Sequence, residues 1–301
     1  MATTTSLTTT YAGKEAAGYI RSAFLSNETL QYITVKENVE YKQVVRKLVD
    51  DITFANATCD FTPTGTVTLT ERVLTLEKFQ VHRELCKKDF LVDWEAKSEQ
   101  NGQLHASLAD AIIANIMAGI AARNEVLIWS GVNATAGQYD GFETLFNAGG
   151  SGVNAVSSPV AIDETNVIDE IKRLVDTCPL KVRRATEKPR IYVSSNVAES
   201  FRYAILGLGN GSYLYQGETV VMTWLGQYEI VECAGMSNDT MVMAQPSNLW
   251  FGTNLLSDWN EVALLDMYDK DLSDNVRFGA KFFAGVQYGF GNEIAFYQYT
   301  A

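Results

Sequence analysis

The final part of the chain has apolar residues at alternate positions. From residue 276 to residue 290 every even position is apolar, whereas the odd positions are mostly polar or glycine, with Phe283 as the one large exception. A period of two predicts a β-strand with one buried face. At about 3.3 Å per residue this strand would span roughly 50 Å, well beyond the usual length. Asn292 interrupts the pattern, and Ile294 and Phe296 resume it towards the C-terminus. Such a strand favours an extended protein shape over a compact enzyme.

A spacing of four residues predicts a long helix over residues 103–129. Leucine or isoleucine recurs at positions 104, 108, 112, 116 and 120, as in a helix with one apolar stripe. At 1.5 Å per residue this helix would be roughly 40 Å long. Residues 161–265 then alternate between helical and strand patterns. The expected elements there are a helix at about 163–178 and strands at 190–193, 228–231 and 240–244. The combined pattern predicts an α+β fold.

A threonine-rich segment, residues 59–70, has the pattern of a β-hairpin. Its Pro63-Thr64-Gly65 sequence is a turn signal between two strand-like runs. The strands are polar on both faces near the tip, so the hairpin has no apolar face to pack against its own subunit. Because an isolated two-stranded ribbon is only marginally stable in water, its partner is expected to be another chain. Residues 1–12 are expected to form a disordered or extended arm.

Composition and charge exclude several classes of function. The chain has 301 residues, 47% hydrophobic and 20% charged, which is ordinary for a folded domain or two. Its net charge of −12 argues against tight binding to nucleic acid phosphates and against docking on an anionic membrane. The N-terminus has no signal-peptide pattern, and no apolar run is expected to span a membrane. The four cysteines are therefore expected to be reduced and mostly buried.

The sequence offers no catalytic, metal or cofactor site. His82 precedes Cys86 by four residues, but a strand would not place both on one face as metal ligands. His105 lies at the start of the long helix, where capping or exposure to solvent is expected. The glycine-rich run at residues 207–211 fails the dinucleotide fingerprint, because Ser212 stands where a third glycine is needed. We therefore predict no metal, no cofactor and no catalytic residues.

The order of these elements resembles that of a known family. An N-terminal arm leads to a projecting hairpin, and the return strand continues through the sequence LTLEKFQV at residues 74–81 to KKDFLVDW at residues 87–94. A long helix and an α/β region follow, and the chain closes with VRFGAKFFAGVQYGF at residues 276–290. This arrangement resembles the major capsid proteins of tailed bacteriophages, which have the Hong Kong 97 type of fold. The resemblance covers nearly the whole chain.

The resemblance implies a division of the chain and two sets of inter-subunit residues. The implied regions are an N-terminal arm at 1–50, an extended β-hairpin (the E-loop) at 51–85, a peripheral domain with its spine helix at 86–160, an α/β axial domain at 161–261, and return strands of the peripheral domain at 262–301. The implied contact residues are the E-loop tip, Phe61, Thr62, Pro63, Thr64, Gly65, Thr66 and Val67, and an axial loop with Gly207, Gly209, Asn210, Gly211 and Tyr213.

The resemblance also implies partners and a location. The protein would form hexamers and pentamers of an icosahedral shell that encloses double-stranded DNA without sequence-specific binding. A separate scaffolding protein is expected, because the chain has no long, charged helical stretch before the arm; removal of such a region is the alternative. A portal protein is a further expected partner, and a cementing protein is a candidate. Shells would assemble in the cytoplasm of the bacterial host, and the mature protein would reside in the virion capsid.

Some members of this family cross-link neighbouring subunits covalently, by an isopeptide bond between an E-loop lysine and an asparagine. Residues 54–77 contain no lysine, and Lys78 is the first to follow. We therefore expect no such cross-link. Two other functions remain open from the sequence. One is the shell protein of an encapsulin nanocompartment, which a genome neighbourhood with terminase and portal genes would exclude. The other is a soluble α/β enzyme with an unrecognised site, which a native mass near 33.3 kDa and catalytic turnover would indicate.

Overall fold

The computed structural model describes residues 8–12, 29–40, 42–50, 54, 56, 67–86, 106–207, 223–224, 227–254 and 261–300. The strands in these ranges are β1 (Thr8–Ala12), β2 (Thr34–Lys36), β3 (Lys42–Asp50), β4 (Val67–Thr75), β5 (Glu77–Cys86), β6 (Asn154–Ala155), β7 (Arg190–Val193), β8 (Thr223–Trp224), β9 (Tyr228–Glu232), β10 (Thr240–Ala244), β11 (Leu249–Gly252), β12 (Glu261–Asp266), β13 (Asn275–Tyr288) and β14 (Ala295–Gln298). The helices are α1 (Ala106–Ser130), α2 (Phe142–Asn147), α3 (Val167–Thr177), α4 (Leu180–Arg183), α5 (Ser195–Gly207) and α6 (Tyr268–Asp271).

Strand β13 is the centre of the first sheet. It pairs with β12, β11 and β5, while β1 pairs with β12 and β2 with β11. The alternation predicted for this strand is confirmed. The side chains at its even positions, from Val276 to Tyr288, are all buried and all belong to the main core. Arg277 is exposed and Lys281 partly exposed on the other face, so one face of β13 points into the protein over its full length.

The predicted interruption at Asn292 is present, and Ile294 and Phe296 beyond it are buried in the main core. A 3-10 turn at Gly291–Glu293 separates β13 from β14, which pairs with β10 and β6 in the second sheet. Gly291 permits this bend, because a Cβ there would overlap the carbonyl oxygen of Ser151. Residues 262–301 therefore do not form one set of return strands. The last strand lies among the strands of the α/β region instead.

The second sheet has the order β6-β14-β10-β7-β9-β8 and mixes parallel and antiparallel pairs. The predicted helix at 163–178 and the strands at 190–193, 228–231 and 240–244 are confirmed as α3, β7, β9 and β10 within a few residues. Ile191, Val193 and Met241 pack with residues of α3 and α5 in one core. Tyr192 and Val242 face the opposite side and join the core of the first sheet. The two sheets thus share one apolar interior.

Helix α1 fills the space between the sheets. The helix predicted from residue 103 is confirmed from Ala106 onwards, and residues 103–105 lie outside the described ranges. Contrary to the sequence-based expectation, the stretch Ile112–Ser130 is long and apolar enough to cross a membrane by length and composition, with mean hydropathy 1.3. However, 56% of this stretch is buried inside the protein, and its side chains include the fully buried Ile128 and Trp129. Its apolar character therefore fits that of a core helix.

The segment 29–40, which we call the strap, is an integral part of the fold. Leu30 and Ile33 are buried in the main core. Thr29 donates a hydrogen bond to the buried carboxylate of Glu125 and accepts one from Trp129 Nε1, at 2.9 Å. The first turn of the strap is therefore attached to α1 by apolar burial and by buried hydrogen bonds.

The strap then runs along both sheets. The Tyr32 carbonyl accepts a hydrogen bond from Tyr192 Oη in β7, at 2.8 Å. Strand β2 continues in parallel with β11, and Thr34 Oγ1 donates to the Pro246 carbonyl at 3.0 Å. Of the predicted arm at 1–50, the described part of residues 1–12 is extended, as expected, since β1 pairs with β12. The strap, by contrast, packs within the subunit.

Candidate assembly surfaces

Strands β3 and β4 form a two-stranded ribbon, which we call the hairpin. Their register runs from Lys42 opposite Thr75 to Asp50 opposite Val67. The predicted hairpin is therefore present, but its outgoing strand lies before residue 51, in the range assigned to the arm. The tip residues Phe61, Thr62, Pro63, Thr64, Gly65 and Thr66 lie outside the described ranges. Val67 opens β4 and is 60% exposed.

The base of the hairpin is anchored in the body of the subunit. Leu74 and Leu76 are buried with Val39 of the strap and with Phe283 of β13 in a small separate core. This contact explains the large apolar residue at position 283, because the Phe283 side chain lies on the face of β13 opposite to the main core and packs there against the hairpin base. A Cβ on Gly252 would lie 2.8 Å from the side chains of both leucines. Glycine in β11 therefore makes the room that the hairpin base occupies.

Arg72 forms a second contact between the hairpin and the body. Its guanidinium lies 4.0 Å from the centre of the Tyr288 ring, and Nη2 donates to the carbonyl of Ser151 at 2.7 Å. Tyr288 Oη donates to the same carbonyl at 3.0 Å. Gln287 Nε2 adds a hydrogen bond to the Val73 carbonyl at 3.1 Å. The hairpin is thus held by directional contacts as well as by apolar burial.

The opposite face of the hairpin carries four exposed apolar side chains among its polar ones. Val44 lies opposite Val73, and these side chains are 47% and 37% exposed. Leu69 and Val67 follow on the same face and are 59% and 60% exposed. We call these four side chains the outward stripe. The expectation of strands polar on both faces near the tip concerns residues that lie mostly outside the described ranges, whereas the described part of β4 carries apolar residues on one face. The apolar residues alternate in β4, and the strand opposite contributes Val44 to the same side.

One ion pair crosses the outward stripe. Arg46 Nε lies 3.5 Å from Glu71 Oε2, and both side chains are more than half exposed. A pair with this exposure contributes little to the stability of the subunit, on the order of 0–1 kcal/mol. It divides the outward stripe into two apolar patches of two residues each.

The predicted axial loop begins at the end of α5. Gly207 is the last residue of this helix and is exposed. Gly209, Asn210, Gly211 and Tyr213 lie outside the described ranges. The preceding turn of α5 presents two exposed apolar side chains that the sequence reasoning passed over. Tyr203 is 60% exposed and Leu206 is 45% exposed.

An open groove lies on the outer face of the first sheet, over Gly279. Its volume is about 460 Å³, and it is bordered by His82, Arg277 and Lys281 among others. The charged residues at its border form ion pairs across strands: Arg277 with Glu84 at 3.0 Å, and Lys281 with Glu261 at 2.7 Å. No cluster that could hold a metal ion occurs among the described residues. His82 lies on β5, the strand on which the sequence placed it, and His105 lies outside the described ranges.

Buried ionisable groups inside the subunit have structural partners. Glu143 of α2 accepts hydrogen bonds from Ser237 N and Oγ, at 2.8 and 2.6 Å, and from Gln298 Nε2 at 3.1 Å. Burial raises the pKa of this carboxyl despite these hydrogen bonds. The free thiols of Cys178 and Cys233 are buried, as expected, and burial raises the pKa of Cys178 to about 11. A thiol with that pKa is protonated and unreactive at neutral pH.

The whole described fold matches solved structures of phage particles. A chain of the satellite phage P4 procapsid that includes the size determination (Sid) protein has a TM-score of 0.58 at 10% identity, covering 93% of this chain and 98% of that chain. A chain from the capsid of the native GTA particle has a TM-score of 0.60 at 15% identity, and the match covers 100% of this chain and 96% of that chain. This chain has the fold of phage capsid proteins. A chain of Mycobacterium phage Che8 has a TM-score of 0.54 at 13% identity, and the match covers 99% of this chain and 94% of that chain.

These matches confirm the family resemblance at the level of the fold, a mixed helix and sheet architecture. No protein-family model matches the sequence, and no curated protein matches it. At identities of 10–15%, only the arrangement of elements is shared. The roles of individual residues must therefore be argued from this chain.

Proposed function

We propose that this protein is the major capsid protein of a tailed bacteriophage. It forms hexamers and pentamers that close into an icosahedral shell around double-stranded DNA. The shared fold supports this proposal, and the observation that carries it is the outward stripe of the hairpin. A two-stranded ribbon with one exposed apolar face needs a partner to cover that face.

In this proposal the hairpin is the E-loop, α1 is the spine helix of the peripheral domain, and the second sheet with α3 and α5 belongs to the axial domain. The axial loop after Gly207 lies near the centre of each ring, and the E-loop tip contacts a neighbour. Scaffolding and portal proteins are the expected partners during assembly, with a cementing protein as a candidate. The protein has no enzymatic role and no cofactor.

The hairpin supplies the main contact between copies. Its base is fixed to its own subunit by Leu74 and Leu76, and we infer that the outward stripe contacts a second copy. Full burial of an aliphatic side chain stabilises by about 1.5–3 kcal/mol. The four half-exposed side chains of the outward stripe together could therefore contribute a few kcal/mol for each contact. Repeated head to tail, this contact generates closed rings.

The acidic charge of −12 suits a container for DNA. A negatively charged wall does not bind phosphates tightly, so packaged DNA is confined without being held in place. Neither the encapsulin shell nor the soluble enzyme is favoured by the phage particle structures named above. A shell with a protein cargo and no DNA would support the encapsulin alternative.

The test uses two substitutions at one position of the outward stripe. Leu69→Asp places a charge where a neighbour is expected to bury an aliphatic group, whereas Leu69→Met keeps the position apolar. Both variants should fold and melt as the wild type does, because Leu69 is 59% exposed. Expression with a scaffolding protein, followed by electron microscopy, should show shells for the wild type and Leu69→Met only. Normal shells from Leu69→Asp would contradict the docking role, and wild-type protein that stays monomeric would contradict the function itself.

A further inference from the structure

Strand β4 continues through Leu76 into β5, which pairs with β13. Beyond this connection, two kinds of contact hold the hairpin, and they constrain it differently. Leu74 and Leu76 are held by apolar contact with Val39 and Phe283. Apolar contact is not directional, so it fixes the position of the base but permits the ribbon to tilt. Hydrogen bonds from Arg72 and Gln287 are directional and weaken steeply when they are misaligned. The tilt of the hairpin on the body is therefore controlled by polar contacts.

Arg72 is the stronger of the two polar contacts. It joins the hairpin at once to the Ser151 carbonyl and to the face of the Tyr288 ring. Hydrogen bonds from a charged donor are shorter and about twice as strong as neutral ones. The Ser151 carbonyl is itself held by Tyr288 Oη, and Gly291 allows its close approach because any Cβ there would overlap it. Arg72 thus contacts the Ser151 carbonyl and the Tyr288 ring, which are themselves joined by a hydrogen bond.

We propose that Arg72 sets the tilt of the hairpin and, through it, the curvature of the shell. The second part rests on the proposed capsid function. The ribbon from Thr75 to Val67 is about 27 Å long, at roughly 3.4 Å per residue. A tilt of about 10° at its base would move its far end by about 5 Å, roughly the spacing between neighbouring strands. A displacement of that size changes the angle at which two copies meet.

The tilt is measured directly with spin labels. Cysteines at Val67, on the far end of the ribbon, and at Leu180, on α4, are both in exposed positions and are labelled in a Cys59→Ser, Cys86→Ser background. The Arg72→Met change removes the donors and the charge, whereas Arg72→Lys keeps the charge on a single compact ammonium group that lacks the planar guanidinium. Arg46→Met is the matched control for the tilt, because Arg46 lies on the same ribbon and, among the described residues, forms an ion pair with Glu71 across the outward stripe.

We expect one narrow distance distribution for the wild type and Arg46→Met. Arg72→Met should broaden the distribution or shift it by about 5 Å, and Arg72→Lys should lie between them. Shells of Arg72→Met assembled with scaffold should show mixed diameters or open sheets by electron microscopy, whereas wild-type shells should keep one diameter. Melting curves establish beforehand that each variant folds. If Arg72→Met does not fold, Arg72→Lys serves as the test.

An unchanged distance distribution in both Arg72 variants would overturn the proposal. An altered tilt with unchanged shell diameters would overturn its second part. Wild-type protein that never forms shells would instead refute the capsid function, while the spin-label comparison would still decide whether Arg72 controls the tilt.

Discussion

Arg72 and Tyr288 donate to one acceptor, the Ser151 carbonyl, with the guanidinium 4.0 Å from the ring centre. Removing the tyrosine hydroxyl leaves Arg72 as the one remaining donor from this pair. We expect Tyr288→Phe to lower the free energy of unfolding by about 0.5–1.5 kcal/mol, the usual net value of one hydrogen bond. Urea denaturation measures this loss. A drop of more than about 3 kcal/mol would mean that the hydroxyl has a larger role than this one contact.

Glu143 should make the stability of the subunit depend on pH. Burial raises the pKa of this carboxyl in the folded protein above its value in the unfolded chain. Its contribution to stability is therefore fully present below the unfolded pKa and is lost as the pH rises through the folded pKa. Glu143→Gln does not titrate, so the stability of the wild type relative to this variant should increase as the pH falls from neutral towards the usual carboxyl pKa of 4.5. Urea denaturation across this range provides the measurement, and parallel curves for the two proteins would contradict the prediction.

The connection at residues 51–66 can be shortened without loss of the hairpin. Asp50 and Val67 are directly paired, so a two-residue Asn-Gly turn can join them. We expect this variant to fold and to melt cooperatively, because the base of the ribbon stays anchored. Assembly should fail or slow strongly, since six of the seven predicted tip residues are gone. Shells that form at the wild-type rate would show that the tip has no part in the contact between copies.

No covalent cross-link between subunits is expected. Lys78 is the first lysine after residue 54, and it lies on β5, with Nζ 5.6 Å from the centre of the Phe283 ring. That places it beside the base of the hairpin, far from the predicted tip. Lys42 and Lys47 lie on β3 of the hairpin itself, Lys47 opposite Thr70, so Lys47 is the lysine that would contradict this expectation. Mature shells boiled in detergent and reductant should run as a single band at the monomer mass. A ladder of larger species that survives this treatment would show that another lysine reacts.

Strand β13 could be predicted from the sequence because it alternates strictly and buries one face. Its exception, Phe283, could not be interpreted, since its partners Leu74 and Leu76 come from a distant segment. The outgoing hairpin strand was missed for a related reason. The sequence KQVVRKLVD has adjacent apolar residues and charges on both faces, so the pattern carries no signal for one buried side.

The candidate surfaces were predictable only in part. Threonine, proline and glycine indicated a turn and hence a hairpin, but the outward stripe exists only when two strands are placed in register. Val44 and Val73 become neighbours through that register, which no local pattern specifies. Tyr203 and Leu206 look like core residues in the sequence, and only the packing of α5 shows that they are exposed.

The strap also determines the order in which the subunit can fold. Thr34 bonds to Pro246, 212 residues later in the chain, and β2 pairs with β11 just beyond it. During synthesis the strap has no partner strand until this later segment has left the ribosome. Contacts over such a separation form slowly, because a long loop must close first. Val39 of the strap completes the pocket for Leu74 and Leu76. Because the fourth member of this core is Phe283, a nascent chain cannot complete the anchor of its hairpin until residue 283 has been made.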